Sequence, residues 1–265
     1  MKLHITHKTD YAYSAPVGYA LQKVRLRPLS SPWQTVLDWT VAVSGGIIEA
    51  GYSDHFRNHV DLCSIEPDGQ SLSISAFGTV ETLTTSGIFG PTREPAPLWL
   101  FLQQTPSTQA GESVKELASA LMHSANPLDG LHALSAAVLA AVPYELGVTS
   151  AGTTAEGALA IGAGVCQDHA QIFISAARCA GIPARYVSGY LMMNETVDQD
   201  ASHAWAEAHV DGLGWVGFDV SNGYSPDERY VRIAIGRDAA DASPVKGLRL
   251  GSADESLIVS LQVQQ

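Results

Sequence analysis

The first ninety residues of the chain alternate between apolar and polar positions in short runs. A period of two is typical of β-strands that bury one face. The alternating apolar residues fall into three sets, which are Leu37, Trp39, Val41 and Val43; Val60 and Leu62; and Leu72, Ile74 and Ala76. Turn-forming residues at 44–46 and 67–69 separate these runs. The pattern predicts an antiparallel β-sandwich of short strands.

A helical period replaces this alternation beyond residue 90. The prolines of segment 95–97 form a stiff connector. Segment 113–116 then matches a capping box, which predicts a first helix with Ser113 at its N-cap. Asn126 precedes a second helix, which ends near Pro143. The change of period places the boundary between the two halves at about residues 90–100.

A third predicted helix begins at Cys166, directly after the glycine-containing loop 162–164. Its apolar residues recur at i, i+3, i+4 and i+7 and are Ala170, Phe173, Ile174 and Ala177. Gly181 is placed to end the helix. Strand-like segments follow at 185–192, 203–210 and 215–220, and the tail over 248–263 again has an extended pattern.

These elements predict an α+β protein with three parts. Residues 1–95 form the N-terminal β-domain, and residues 96–240 form a core of helices and strands. The tail, 241–265, is expected to pack on one of these two domains.

Composition narrows the classes of function. The chain has 265 residues, of which 46% are hydrophobic and 16% charged, which suits a globular protein with a substantial core. A formal net charge of −12 argues against nucleic acid or an anionic membrane as a partner, because either requires a basic face.

The sequence also suggests a compartment. No signal-peptide core and no apolar stretch near the roughly twenty residues that span a bilayer are present. The three cysteines are too few for a disulfide framework. We therefore expect a soluble cytoplasmic protein.

Cys166 stands where a thiol becomes reactive. At the start of a helix, the positive end of the dipole and the unpaired N–H groups favour thiolate, the nucleophilic form. His203 and Asp219 follow in the chain. The three residue types are those of a nucleophile, its base and the group that orients the base. A lone cysteine is more often a small buried residue, and we expect that role for Cys63 and Cys179.

A triad of these residues requires a particular geometry of the hairpin formed by 203–210 and 215–220. For Asp219 to orient His203, both side chains must project from the same face of the sheet. A plain four-residue loop pairs residue 210 with residue 215 and places them on opposite faces. The triad therefore predicts a three- or five-residue loop, or a bulge at a glycine.

A zinc site is the chief chemical rival. Cys166, His169, His203 and His209 supply enough ligand types. However, the last two lie six residues apart on one predicted strand, about 20 Å at a rise near 3.3 Å per residue, which is too far to share one ion. We therefore predict no metal and no other cofactor.

The residues resemble the transglutaminase-like superfamily of papain-related cysteine enzymes, and most closely its bacterial members with an amino-terminal β-domain. The motifs that carry the resemblance lie between about 140 and 225 and are Gly164-Val165-Cys166-Gln167-Asp168-His169-Ala170, Gly181-Ile182-Pro183-Ala184-Arg185-Tyr186-Val187-Ser188-Gly189-Tyr190, His203-Ala204-Trp205 with Glu207, and Gly214-Trp215 with Phe218-Asp219. The opening stretch is similar to that family's β-domain through Tyr11, Tyr13, Pro16, Leu21, Arg25 and Pro28. The resemblance implies a β-sandwich followed by a papain/transglutaminase-like core, with helices packed on an antiparallel sheet.

The resemblance also implies roles for individual residues. Cys166 is the nucleophile, His203 is the general base and then the acid, and Asp219 orients His203. The backbone N–H of Cys166 forms part of the oxyanion hole. His169 departs from the family pattern, in which Tyr or Phe is common, and we favour an aromatic-pocket role for it over tuning of the thiol. The residues expected to line the site or the oxyanion hole are Tyr144, Gln167, His169 and Trp205.

The implied reaction is acyl transfer from a carboxamide or peptide bond. Cys166 attacks the carbonyl, His203 protonates the departing amine, and an amine or water then resolves the thioester. Two alternatives stay open, which are a cysteine peptidase of the same fold and a binding protein that retains the triad without turnover. The expected partner is a protein or peptide substrate or a small amide, and the oligomeric state stays open.

Overall fold

The structure is a computed structural model that describes residues 1–91, 95–194, 196–250 and 254–265. The alternating residues of the first half form strands β1 (Lys2–Val17), β2 (Tyr19–Val24), β3 (Gln34–Ser44), β4 (Gly46–Ser53), β5 (His59–Ile65), β6 (Gly69–Thr82) and β7 (Ile88–Gly90). The turns predicted at 44–46 and 67–69 connect β3 to β4 and β5 to β6.

Alternating burial is confirmed on β6 but not throughout β3 and β5. Leu72, Ile74 and Ala76 are all buried. Leu37 is 48% exposed, because the register between β3 and β6 shifts at this position. On β5 the buried position next to Val60 belongs to Asp61, and Leu62 is only half-buried. The Asp61 carboxylate is bound there by Arg27 and His59, which makes its burial tolerable.

The second half contains the helices α1 (Glu112–Met122), α2 (Pro127–Ala141), α3 (Ala155–Ile161), α4 (Cys166–Cys179) and α5 (Ala239–Ala242), with 3-10 turns at Leu98–Leu102 and Pro106–Thr108. Its strands are β8 (Ala184–Leu191), β9 (Asp198–Gln199), β10 (His203–Val210), β11 (Gly214–Phe218), β12 (Tyr230–Gly236), β13 (Val245–Leu250) and β14 (Glu255–Gln264). The predicted α+β class is confirmed.

The helix starts depend on different caps. The side chain of Asn126 accepts a hydrogen bond from the Leu128 N–H at 3.0 Å, as expected for α2. The capping box predicted at Ser113 is wrong, because α1 begins at Glu112 with Gly111 at its N-cap, two residues before the predicted N-cap. The Val114 N–H is instead bound by the Glu156 carboxylate at 2.8 Å. That carboxylate comes from α3, a short helix that the sequence pattern did not predict.

The described strands form antiparallel sheets with the orders β3-β6-β1-β14-β9, β13-β2-β5-β4 and β12-β8-β10-β11-β7. Strands β13 and β14, which lie within the predicted tail, pair with β2 and β1, so the tail returns to the first half of the chain. Residues 251–253 of the tail lie outside the described residues.

The two halves of the chain are joined through shared strands and a shared core. Strand β7 comes from the first half but pairs with β11. Tyr190, Val231 and Ile233 from the second half belong to the same buried cluster as Leu3 and Ile5. These contacts connect the first half to the sheet that carries His203.

Helix α4 is the most buried helix among those described and contacts β8 and β10 as well as α1, α2 and α3. The predicted apolar stripe of α4 is buried in full. No helix in the described part of the chain is both long enough and apolar enough to cross a membrane.

Candidate active site

The hairpin between β10 and β11 sets the direction of two predicted site residues. Val210 pairs with Gly214, which leaves residues 211–213 as a three-residue loop. Gly212 and Gly214 both have positive φ, at 81° and 78°, a conformation that glycine adopts without strain. The predicted loop length is confirmed, and this register places His203 and Asp219 on the same face.

His203, at the start of β10, interacts with both other members of the predicted triad. Its Nε2 lies 2.6 Å from Oδ2 of Asp219, and Cys166 is near enough to favour the protonated imidazole. Since Nε2 faces the carboxylate, Nδ1 is the ring nitrogen left for the thiol. Burial lowers the pKa of His203, but the charge and hydrogen bond of Asp219 and the contact with Cys166 outweigh it and raise the pKa to about 10.

Asp219 is fully buried just beyond the end of β11. Its Oδ2 accepts hydrogen bonds from His203, from Asn222 Nδ2 at 2.7 Å and from the Tyr230 hydroxyl at 2.6 Å. Its Oδ1 accepts one from the Asn222 N–H at 3.2 Å. Burial raises the pKa of Asp219, but His203 and these donors outweigh it and lower the pKa, so the carboxylate stays ionised.

Cys166 is the first residue of α4 and is partly exposed. Asp168 holds the preceding loop, since its Oδ2 accepts from the Val165 N–H at 2.9 Å and from Thr149 Oγ1 at 2.6 Å. A Cβ on Gly164 would lie 2.8 Å from the same oxygen, so a larger residue at this position would displace the Asp168 side chain. The nucleophile candidate therefore leaves a fixed loop at the N-terminus of a buried helix.

Tyr144 lies beside this loop. It forms a parallel bridge with Gly164, and the neighbouring Glu145 N–H donates to the Gly164 carbonyl at 2.8 Å. Burial and the negative charges of Cys166 and Asp219 raise the pKa of Tyr144, although half of the residue is exposed. Tyr144 therefore borders the site and reaches solvent.

His169 is completely buried one turn after Cys166. Its Nε2 lies 2.7 Å from the Val142 carbonyl, and its Nδ1 lies 2.7 Å from Ser221 Oγ. Because a carbonyl only accepts, Nε2 carries the proton and Nδ1 accepts from Ser221. Burial lowers the pKa of His169, which favours this neutral form. His169 thus connects α4 to the turn that follows Asp219.

The other two expected lining residues have different positions. Trp205 is buried, with its ring centroid 6.4 Å from that of His203 and 5.4 Å from that of Tyr230. Gln167 donates its side chain to the Ala151 carbonyl at 3.4 Å. The structure therefore brings Trp205 to the triad and directs Gln167 toward the loop before α3.

Sequence reasoning missed three residues of the site, which are Asn222 and Tyr230, both bound to Asp219, and Ser221, which is bound to His169. Ser221 and Asn222 follow Asp219 after Val220 and precede Gly223, which has a φ of 71°. A Ser-Asn-Gly sequence after a strand is a turn signal, so asking which group that turn binds would have found Asn222. Tyr230 gives no such local signal, because it begins a strand that the pattern did not predict.

The described side chains around these residues are not arranged as metal ligands. Among the described residues, no group of three or more His, Cys, Asp or Glu side chains is arranged to hold a metal ion. The ring of His209 packs against Trp215 at a centroid distance of 5.5 Å. The arrangement can transfer a proton between a thiol and an imidazole that an ionised carboxylate orients.

Two family models match the chain. That of the transglutaminase-like superfamily matches residues 115–220, a span that contains Cys166, His203 and Asp219. That of the bacterial transglutaminase-like N-terminal region matches residues 3–81. The resemblance stated from the sequence is confirmed by both matches.

The chain is also similar to individual proteins. Uncharacterized proteins of Mycobacterium leprae and Mycobacterium tuberculosis strain H37Rv are each 27% identical to it over 99% of its length, covering 98% and 92% of those proteins. A solved structure from Cytophaga hutchinsonii, named a "putative cysteine protease", aligns over 100% of this chain and 98% of its own, with a TM-score of 0.77 and 23% identity. At that identity the likeness shows a shared fold.

Proposed function

Because the chain belongs to the transglutaminase-like superfamily, we propose that it is a cysteine enzyme that transfers the acyl group of a carboxamide or peptide bond through a thioester on Cys166. The observation that carries this proposal is the position of His203, whose Nε2 lies 2.6 Å from Asp219 Oδ2 and whose imidazole also interacts electrostatically with Cys166. A base placed between a nucleophile and an orienting carboxylate is the arrangement that activates a thiol.

The first half-reaction forms the thioester. The Sγ of Cys166 bonds to the substrate carbonyl carbon while the thiol proton resides on Nδ1 of His203. The carbonyl oxygen becomes an oxyanion, which the unpaired N–H of Cys166 at the start of α4 is placed to stabilise. His203 then gives its proton to the leaving nitrogen, the C–N bond breaks, and the amine departs.

The second half-reaction releases the acyl group. His203 takes a proton from an incoming amine or water, which attacks the thioester carbonyl and expels the Cys166 thiolate. The raised pKa of His203 keeps the imidazolium form available near neutral pH, where it serves as the acid of the first half-reaction. Asp219 stays ionised throughout and holds the ring.

The proposal includes a papain-like arrangement, in which α4 presents Cys166 to the sheet and the N-terminal strands form a β-sandwich. The substrate is a protein or peptide, or a small amide. A cysteine peptidase is the second candidate, and the name of the Cytophaga hutchinsonii structure favours it. The two candidates share the first half-reaction and differ in the group that resolves the thioester.

Alkylation tests the shared first step. Iodoacetamide labelling, followed by peptide mass spectrometry, should modify Cys166 at least about tenfold faster than Cys63 or Cys179 at neutral pH. His203→Ala should abolish the difference. Labelling of Cys166 at the rate of Cys179 would instead support a binding protein without turnover.

Product analysis then separates the two candidates. A glutamine-containing peptide and a fluorescent primary amine are incubated with the protein. Amine incorporation indicates transamidation, release of ammonia alone indicates deamidation, and shorter peptides indicate proteolysis. Cys166→Ala should remove all of these products, and Cys179→Ala, a change at the other end of the same helix, should remove none.

A further inference from the structure

Three donors from three separate segments converge on one oxygen of Asp219. His203 comes from the start of β10, Asn222 from the turn after β11, and Tyr230 from the start of β12. The first is the base itself, and the second lies three residues from the carboxylate. Tyr230 is the donor that ties Asp219 to a strand outside the β10–β11 hairpin.

We propose that Tyr230 is a positioning residue, which acts through Asp219 to hold His203 against Cys166. This inference rests on the proposed function. The distance of 2.6 Å between the Tyr230 hydroxyl and Asp219 Oδ2 is typical of an O–H donor to a carboxylate. Without that donor, the buried carboxylate would keep two partners, both of which belong to its own hairpin and the turn after it.

Tyr230 is itself firmly placed. It is 6% exposed, with Trp205 against its ring at a centroid distance of 5.4 Å and Tyr224 at 6.4 Å. Burial and the charge of Asp219 raise the pKa of Tyr230 far above its ordinary value, so the hydroxyl keeps its proton and donates it. Tyr224 is 40% exposed, so the aromatic cluster around Tyr230 extends to the surface.

The segment before Tyr230 is anchored to the first half of the chain. Thr82, at the end of β6, donates its hydroxyl to the Glu228 carbonyl, and Thr84 donates to the Glu228 carboxylate. The Tyr230 N–H closes the turn on the Asp227 carbonyl at 3.2 Å. These hydrogen bonds connect the N-terminal region to the start of β12, the strand whose Tyr230 binds Asp219.

The test compares Tyr230→Phe with Tyr190→Phe. Tyr190 is also fully buried, and its hydroxyl is bonded to a histidine, His7 Nδ1, at 3.0 Å, but this pair lies outside the triad. Both variants lose one hydroxyl without losing a ring. Melting temperatures and circular dichroism establish that each variant is folded.

The readout is the rate of iodoacetamide labelling of Cys166 as a function of pH. Around His203 the charged and titratable groups are Asp219, Cys166 and Tyr230. If Asp219 is displaced, it stabilises the imidazolium of His203 less. A smaller fraction of the protein then holds the thiolate–imidazolium pair at pH values below the ordinary pKa of a thiol. We expect Tyr230→Phe to slow labelling about tenfold at about pH 6, with the difference closing toward about pH 9. Tyr190→Phe should label like the unaltered protein.

A double variant shows whether Tyr230 acts through Asp219. If it does, Tyr230→Phe combined with Asp219→Asn should label no more slowly than Asp219→Asn alone. Independent, multiplying effects would overturn the proposal, as would Tyr230→Phe labelling at the unaltered rate or Tyr190→Phe sharing its loss. Slow labelling of Cys166 in the unaltered protein would refute the proposed function itself, whereas fast labelling there with no effect of Tyr230→Phe refutes this inference alone.

Discussion

Arg185 on β8 and Glu207 on β10 form an ion pair in which neither side chain is exposed to solvent. Nη2 and Oε2 are 2.5 Å apart, and Nε donates to the same oxygen at 2.7 Å. The two residues are directly paired across the strands. The guanidinium of Arg185 also lies 3.9 Å from the ring centroid of Trp215 on β11. This pair therefore links three neighbouring strands of the sheet on which His203 stands.

Removing one charge of this pair should be severely destabilising. Glu207→Gln leaves a buried guanidinium without its carboxylate, and we expect the free energy of unfolding to fall by about 3–5 kcal/mol. Urea unfolding followed by fluorescence measures the change. The exposed pair of Lys115 and Glu112 is the control, since Glu112→Gln should leave the midpoint unchanged. An unchanged midpoint in Glu207→Gln would show that the pair does not stabilise the sheet.

Substitutions in the triad should separate chemistry from folding. Cys166→Ala and His203→Ala should abolish turnover, and Asp219→Asn should lower it by about 10²–10⁴-fold, because the histidine loses its orientation and its preferred tautomer. Product formation from a glutamine-containing peptide gives the rate, and the melting temperature reports the fold. Full activity in Cys166→Ala would contradict the mechanism.

The sequence predicts the three triad candidates better than the residues around them. The reason is that each candidate is marked by a pattern in its own part of the sequence. Cys166 is marked by a glycine-containing loop and a helix start, and His203 by a strand with alternating small residues. The three-residue loop of the hairpin was predicted from the requirement that His203 and Asp219 share a face. Each of these signals lies within a few residues of the group that it identifies.

Tyr230 could not be found in this way. Strand β12 is buried on nearly all of its residues, so it shows no alternation between apolar and polar positions. Its contact with Asp219 exists only because β12 pairs with β8. Helix α3 is too short to show a clear helical period, and its Glu156 caps α1 from a distance of 42 residues. Both the contact of Tyr230 with Asp219 and the cap supplied by Glu156 depend on tertiary contacts, which a local sequence pattern does not reveal.

His169 allows the two interpretations of its role to be separated. His169→Phe keeps an aromatic ring beside Tyr144, which has its centroid 6.2 Å away, but loses the hydrogen bonds to Val142 and Ser221. If the residue fills a pocket, iodoacetamide labelling of Cys166 should change by less than about threefold. The buried carbonyl of Val142 loses its partner, so we expect a stability loss of about 1–3 kcal/mol.

The outcome that contradicts this interpretation is specific. A shift of the labelling profile along the pH axis in His169→Phe, with the fold retained, would mean that His169 tunes the thiol. Ser221→Ala is the matched control, because it removes the hydrogen bond between Ser221 Oγ and His169 Nδ1 but keeps the imidazole.

His7 should make the stability of the protein depend on pH. It is buried on β1, where its Nδ1 lies 3.0 Å from the Tyr190 hydroxyl and its Nε2 lies 3.0 Å from Thr9 Oγ1. Burial lowers its pKa from 6.5 to about 4. Between these two values the unfolded chain binds a proton that the folded chain does not, so stability is lost as the pH falls through this window.

The expected result is a fall in the free energy of unfolding between pH 6.5 and about 4 that His7→Gln reduces. His7→Gln will be less stable at neutral pH, since glutamine does not reproduce both hydrogen bonds, and for that reason the slope rather than the absolute value is compared. Urea unfolding at a series of pH values gives the slope. His123→Gln, a change at an exposed histidine, should retain the slope of the unaltered protein. Equal slopes in all three proteins would place the acid sensitivity elsewhere.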